Sequence, residues 1–167
     1  MKYNEAERVG FRLNNRVKWE FDLTLVPGKY FRLDLPTEPP IEECLCVDGE
    51  GPYLYYQRVD ICKNFFIAKT ESLINVPWSE ELKLLEHEDW SWRYKQAGYK
   101  TYVTDYISAN YIDNKPPEYL AMRNRMYTEF RKKLMDKWHI SEWIAYGPGV
   151  MESIKKDKNE TRTEASN

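Results

Sequence analysis

No stretch of the 167-residue chain is apolar for long enough to cross a bilayer, and the residues from Met1 to Gly10 lack the apolar run of a signal peptide. A soluble, cytoplasmic chain is therefore expected. Neither sign of charge dominates: 25 Lys and Arg stand against 27 Asp and Glu, a formal net charge of -2. With the two signs interleaved, composition argues against nucleic acid or an anionic membrane surface as partner. Cysteine is scarce. Cys44, Cys46 and Cys62 form no pair of CxxC knuckles, and His87 and His139 are the only imidazoles in the chain. That speaks against a zinc site and a disulfide framework and for reduced, partly buried thiols. Internal repeats are absent too, and the length suits one domain with one core. The Asn159-Glu160-Thr161 sequon sits in a polar tail and carries little without a secretion signal.

Aromatic residues are abundant: 13 Tyr and 6 Trp offer large buried area and flat faces on which sugar rings or bases stack. From Val17 to Val26 the residues alternate, with Val17, Trp19, Phe21, Leu23 and Leu25 apolar between polar neighbours, which predicts a half-buried strand. Pro27-Gly28 turns the chain, and Phe31, Leu33 and Leu35 alternate in a returning strand, so a β-hairpin is expected. Pro36 to Pro52 is rich in Pro and Gly and reads as a loop over one sheet edge. Strands are predicted at Tyr53 to Val59, Phe65 to Ala68, Lys100 to Val103 and Ile107 to Ile112. A helical turn with Thr70 as its cap precedes Pro77-Trp78. Pro116-Pro117 starts a longer helix, whose Met122, Met126, Phe130, Leu134 and Trp138 form a stripe suited to packing on the sheet. Arg123, Arg125, Arg131, Lys132 and Lys137 lie opposite, as a solvated basic face or a phosphate contact. After Gly147-Pro148-Gly149 the tail is expected to be disordered.

The chemistry concentrates between Leu82 and Lys100. Glu86, His87, Glu88 and Asp89 crowd the start of a short helix, predicted from about Glu88 to Ala97, in which Trp90, Tyr94 and Ala97 recur at helical spacing and Gly98 supplies a left-handed stop. Acids in a first helical turn are ordinary, because unpaired N–H groups and the helix dipole stabilise negative charge there. Three carboxylates in four residues also repel one another, which raises a pKa or demands a cationic partner and so prepares a general base or metal ligand.

Two blocks carry a family resemblance. Asn64-Phe65-Phe66-Ile67-Ala68-Lys69 is followed by Trp78-Ser79-Glu80-Glu81-Leu82-Lys83 and Glu86-His87-Glu88-Asp89-Trp90, closing with Ala97-Gly98-Tyr99-Lys100. In this order they resemble the acceptor-side half of GT-A-type glycosyltransferases, the family 2 group and the related N-acetylgalactosaminyl- and galactosyltransferases, over about Val9 to Tyr111. The resemblance implies an α/β fold: a partial GT-A-like mixed sheet with a β-hairpin, flanking helices and a long C-terminal helix, as one domain over 1–146 with a disordered tail over 147–167. It implies Asp89 as the base that deprotonates an acceptor hydroxyl during inverting transfer from a nucleotide sugar. Glu88 then orients acceptor hydroxyls, Glu86 and His87 shape the pocket, Trp90 or Trp92 offers a sugar platform, and Asn64 joins the substrate-binding set.

The chain departs from the family in two ways. No Asp-x-Asp occurs in it, and Asn110 stands where the family often has a metal-binding histidine, an amide being a weaker ligand for a transition metal. A divalent metal, Mn or Mg, is expected only where a complete donor site forms. The implied partners are a carbohydrate acceptor, a nucleotide sugar, and a separate donor-binding chain or a second copy of this one. A non-catalytic glycan- or protein-binding module fits the same residues, as does an assembly protein whose acids only cap a helix.

Overall fold

A computed structural model of the chain describes residues 6–14, 20–44, 53–110, 112, 114–146 and 151–155. The elements run β1 (Arg8–Asn14), β2 (Asp22–Val26), β3 (Tyr30–Asp34), β4 (Ile41–Cys44), β5 (Tyr53–Val59), β6 (Phe66–Ala68), α1 (Thr70–Asn75), α2 (Glu86–Gln96), β7 (Thr101–Asn110), α3 (Pro117–Lys137), β8 (Glu142–Tyr146) and β9 (Met151–Lys155). They build two mixed sheets, ordered β4-β5-β7-β1-β6 and β2-β3-β8-β9. The class is α/β.

The predicted hairpin is present. Asp22 pairs with Asp34 and Val26 with Tyr30, and Gly28 at φ 76 takes the left-handed conformation that the turn needs. Its N–H donates to the His139 carbonyl at 2.9 Å, tying the turn to the end of α3. Alternation puts Phe21, Leu23, Phe31 and Leu33 into a core with Phe130, Leu134, Met135 and Trp143. Leu82 and Leu85 enter the same core from the segment before α2. The start of α2 is therefore fixed by apolar burial on the hairpin and α3, at roughly 1.5–3 kcal/mol for each fully buried side chain.

Several expectations change. The stretch Pro36 to Pro52 is not loop throughout: β4 pairs antiparallel with β5, Ile41 opposite Tyr56. Its prolines flank the strand at a sheet edge, where a missing N–H costs least. The tail expected to be disordered over 147–167 contains β9, which pairs with β8 and sets Ile154 opposite Trp143 and against the core. A strand needs only one apolar face, which average composition hides. The two pieces expected at Lys100 to Val103 and Ile107 to Ile112 are one strand, β7, parallel to β1, whose register jumps from Phe11↔Thr104 to Arg12↔Ser108. Thr70 does not cap α1: Lys69 holds that position with no side-chain cap, and Ser72 Oγ donates to the Lys69 carbonyl at 2.7 Å instead. Phe130 and Leu134 of the α3 stripe are buried, with Met126 and Trp138 packed beside them, but Met122 is exposed. Val17, Trp19, Cys46, Tyr111, Gly147-Pro148-Gly149 and the sequon at Asn159 lie outside the described residues. Cys62 is free and buried.

Gly10 of β1 lies under Cys62. A Cβ there would sit 2.6 Å from Cys62 Sγ, 3.1 Å from its Cβ and 3.3 Å from Val103 Cγ2. Gly10→Ala is expected to lower stability by about 1–3 kcal/mol, read as a fall in the urea midpoint. Adding Cys62→Ala, which removes the nearest atom, should recover part of the loss.

Candidate active site at the start of α2

Leu85, at φ 61, turns the backbone through the left-handed region and α2 begins at Glu86. The structure thus places Glu86, His87, Glu88 and Asp89 in one helical turn, as the sequence implies. It then separates them by burial. Trp90 is 0 % exposed. Its indole N–H donates to the Val76 carbonyl at 2.5 Å, Trp78 stacks on it at 4.7 Å and Phe66 at 5.8 Å, and the Arg8 guanidinium lies 4.7 Å from its ring centre. A ring so enclosed offers no face to a sugar, which corrects the expectation of Trp90 as a platform. Trp92, the other expected platform, is half-buried against the hairpin core. Asn64 is exposed in the turn before β6, and Asn110 is exposed at the far end of β7, paired with Asn14. Both stand on elements other than α2.

Asp89 is also 0 % exposed. Its Oδ2 accepts from Arg93 Nε at 2.9 Å, and Lys137 Nζ approaches Oδ1 to 3.2 Å. That approach lacks hydrogen-bond geometry, and Oδ1 and Arg93 Nη2 are buried atoms without a hydrogen bond. Arg93 Nη1 donates to the Pro77 carbonyl at 2.7 Å, and Lys137 also meets Glu81 Oε1 at 3.0 Å. The carboxylate thus ties α2, the segment before it and the end of α3 together. With the carboxylate 0 % exposed, an acceptor hydroxyl reaches Asp89, the expected proton acceptor, only if these contacts open. The same contact corrects Lys137, which belongs to this network rather than to a solvated basic face.

Of the remaining groups Glu88 is buried too, at 6 % exposed. Burial pushes the Glu88 carboxyl up to about 7, with the Glu86 charge adding to the effect, while its own backbone N–H and Arg123 act in the opposite direction. Burial pushes the His87 imidazole down, and Arg8 and Arg123 do the same against the opposing pull of Glu86. His87 Nε2 lies 3.5 Å from Glu86 Oε1. Both side chains are partly open. Trp78, 39 % exposed, meets the His87 ring edge-on at 5.2 Å. In sequence Trp78 has a place in the block that carries the resemblance but no role, and the contact of its ring with His87 is a tertiary outcome.

A raised Glu88 has a definite consequence for stability. Both states are protonated below the ordinary carboxyl range, the unfolded chain ionises first as pH rises, and the folded chain resists until about pH 7. Stability should therefore fall between about pH 4.5 and 7 by roughly 3 kcal/mol from this group and level off above. Glu88→Gln should remove that slope in denaturation measured across pH.

Among the described residues no group of three His, Cys, Asp or Glu is arranged to hold a metal ion. Asn110 alone does not make a site for the expected Mn or Mg. A cleft of about 310 Å³ opens at the other end of α2, lined by Asp22, Asp34, Glu38, Asp60, Arg58 and Lys95 among others, and by none of the candidate site residues expected from sequence. Its polar groups are engaged with one another. Asp60 Oδ2 accepts from Lys95 Nζ at 2.6 Å and from the Leu23 N–H at 2.7 Å, and Arg58 pairs with Glu38 at 2.9 Å. Asp22, its carboxyl pushed up by burial, accepts from the Thr37 N–H at 3.0 Å. The cleft reads as lashing between α2 and the hairpin. No helix among the described residues is long and apolar enough to cross a membrane. Comparison with protein-family models, with curated proteins and with solved structures finds no match to this chain.

Proposed function

We propose that the chain supplies the acceptor side of a GT-A-type glycosyl transfer centre, which moves a sugar from a nucleotide-sugar donor to a carbohydrate hydroxyl with inversion. The observation that carries the reading is the first turn of α2, where Glu86, His87 and Glu88 stand together, burial raises the Glu88 carboxyl to about 7, and the His87 ring meets the exposed Trp78 indole edge-on. A sugar hydroxyl is a weak nucleophile until its proton is accepted, and an acceptor works best with a pKa near the operating pH. In the proposed step the hydroxyl oxygen bonds to the anomeric carbon, its proton passes to Glu88, and the nucleoside diphosphate leaves with the electrons of the broken glycosidic bond. β6, the acidic helix and β7 carry, in chain order, the sequence blocks on which the resemblance rests. β6 lies at a sheet edge, with Ile67 of that strand 67 % exposed, which suits the docking of a donor-binding half. The donor is assigned to such a surface because the chain contains no Asp-x-Asp.

The test is titration with a panel of nucleotide sugars, with and without manganese, followed by an assay for nucleoside diphosphate release in the presence of oligosaccharide acceptors. Turnover that Glu88→Gln abolishes is the expected result. Turnover unaffected by Glu88→Gln would remove the assigned role.

One observation favours a second reading. With Asp89 locked between Arg93 and Lys137, the same surface suits a non-catalytic glycan-binding module, for which acceptor binding without turnover under any donor is the expected outcome.

A further inference from the structure

We propose that Trp78 is the platform on which a pyranose ring of the glycan stacks, an inference that rests on the carbohydrate reading above but not on catalysis. Several of the described aromatic rings are packing. Trp90, Tyr94 and Trp143 are almost fully enclosed, whereas Trp78 keeps 39 % of its surface open. It is also held in place. Trp90 lies nearly parallel to it, 14° between planes at 4.7 Å, and so covers one face and leaves the opposite face and rim for the exposure. Trp90 is itself fixed by the bond from its N–H to the Val76 carbonyl. The backbone on the near side of Trp78 is clamped by Arg93 Nη1 on the Pro77 carbonyl at 2.7 Å. An open ring whose position is already determined loses little conformational freedom when a ligand covers it.

The surroundings select the class of ligand. A pyranose presents an apolar face of axial C–H groups and a rim of hydroxyls. The face matches an indole. The rim needs hydrogen-bonding side chains at its edge, and His87 stands edge-on to Trp78 at 5.2 Å with the Glu86 carboxylate 3.5 Å from its Nε2. Both are about one quarter exposed, so they reach solvent at the side of the ring. Equatorially substituted sugars expose the flattest C–H face. β-Linked gluco-configured oligosaccharides are therefore the fitting class, whereas an axial hydroxyl on the stacking face, as in mannose, interferes.

The experiment titrates the full chain with cellotetraose, chitotetraose and mannotetraose while following the six indole N–H resonances, that of Trp78 being assigned from Trp78→Tyr. A saturable shift of the Trp78 resonance with a gluco-configured tetraose, stronger than with the mannose oligomer, is expected. Trp78→Ala should weaken binding by about tenfold or more, and Trp78→Tyr, which keeps a flat ring on Trp90, should stay within about threefold of the wild type. The tyrosine variant keeps the test decisive if the alanine variant folds poorly. The titration is run without any nucleotide sugar, so a retained Trp78 shift beside absent turnover removes the transfer reading and leaves the platform standing. Absence of any Trp78 shift at millimolar glycan, or unchanged affinity in Trp78→Ala, would overturn the platform.

Discussion

Trp90→Ala is expected to lower stability by about 3–5 kcal/mol, a large share of what a domain of this size has to lose. Three contributions disappear together. The largest is packing: Trp90 is fully enclosed and contacts Phe66, Trp78 and Tyr94, with centroids 4.6 Å apart for the last pair. The second is the hydrogen bond from its indole N–H to the Val76 carbonyl, whose loss strands a buried acceptor. The third involves Arg8, only 2 % exposed, with its guanidinium over the rings of Trp90, Tyr94 and Phe66. Arg8 donates to the Asp60 carbonyl at 2.8 Å and to Thr101 Oγ1 at 2.9 Å, and burial already pushes its pKa down. A cation in that position depends on the ring faces for part of the charge stabilisation that water would give. Trp90→Phe keeps a face for Arg8 and much of the packing while losing the N–H, so it should cost about half as much. Urea denaturation of both variants checks the order. A loss below about 1 kcal/mol in Trp90→Ala would show that α2 is held chiefly by Leu82 and Leu85.

Much of this arrangement is legible in the chain itself. Strict alternation, a Pro-Gly turn and renewed alternation predict the β2–β3 hairpin, since period and turn chemistry are local properties. Helical spacing of Trp90 and Tyr94 marks one face of α2, and both residues are buried on it. The resemblance pulled the other way, toward Trp90 as an open platform, and burial decides for the spacing. What stays hidden is long-range. Nothing local reveals that Lys137 will reach Asp89 across two elements, because a cation on a long stem looks the same facing solvent or a carboxylate. Nor does sequence separate Trp78 from Trp90. The two rings touch, and which one is covered depends on where Phe66 of β6 and Arg8 of β1 arrive. The sheet order is likewise a tertiary outcome: β4 and β9 are edge strands stabilised mainly by their neighbours, and their composition alone reads as loop and tail.

Asp89→Asn is expected to cost about 2–3 kcal/mol of stability, whatever it does to activity. The amide keeps the shape of the carboxylate but leaves Arg93 Nε, 2.9 Å from Oδ2, and Lys137 Nζ, 3.2 Å from Oδ1, facing a neutral group. Both cations are about one-third exposed, so water recovers part of the loss and keeps it below the cost of breaking a wholly buried pair. Lys137→Met, which removes one cation and leaves Asp89 paired with Arg93, should cost less. Glu88→Gln should move in the opposite direction: above pH 7 it relieves the folded chain of a buried charge, and the variant should be the more stable of the two at pH 8. Neighbouring carboxyls on one helical turn thus make opposite predictions, because cations pair with one while desolvation outweighs the backbone N–H and Arg123 at the other. Thermal denaturation of the two variants at pH 8, beside the transfer assay, separates the roles. If Asp89→Asn keeps full stability and loses all turnover, its contacts with Arg93 and Lys137 open when substrate binds, and the proton goes to Asp89 after all. If it loses stability, and turnover follows Glu88 instead, Asp89 is the strut that holds the α2 turn in place and Glu88 is the group that does the chemistry.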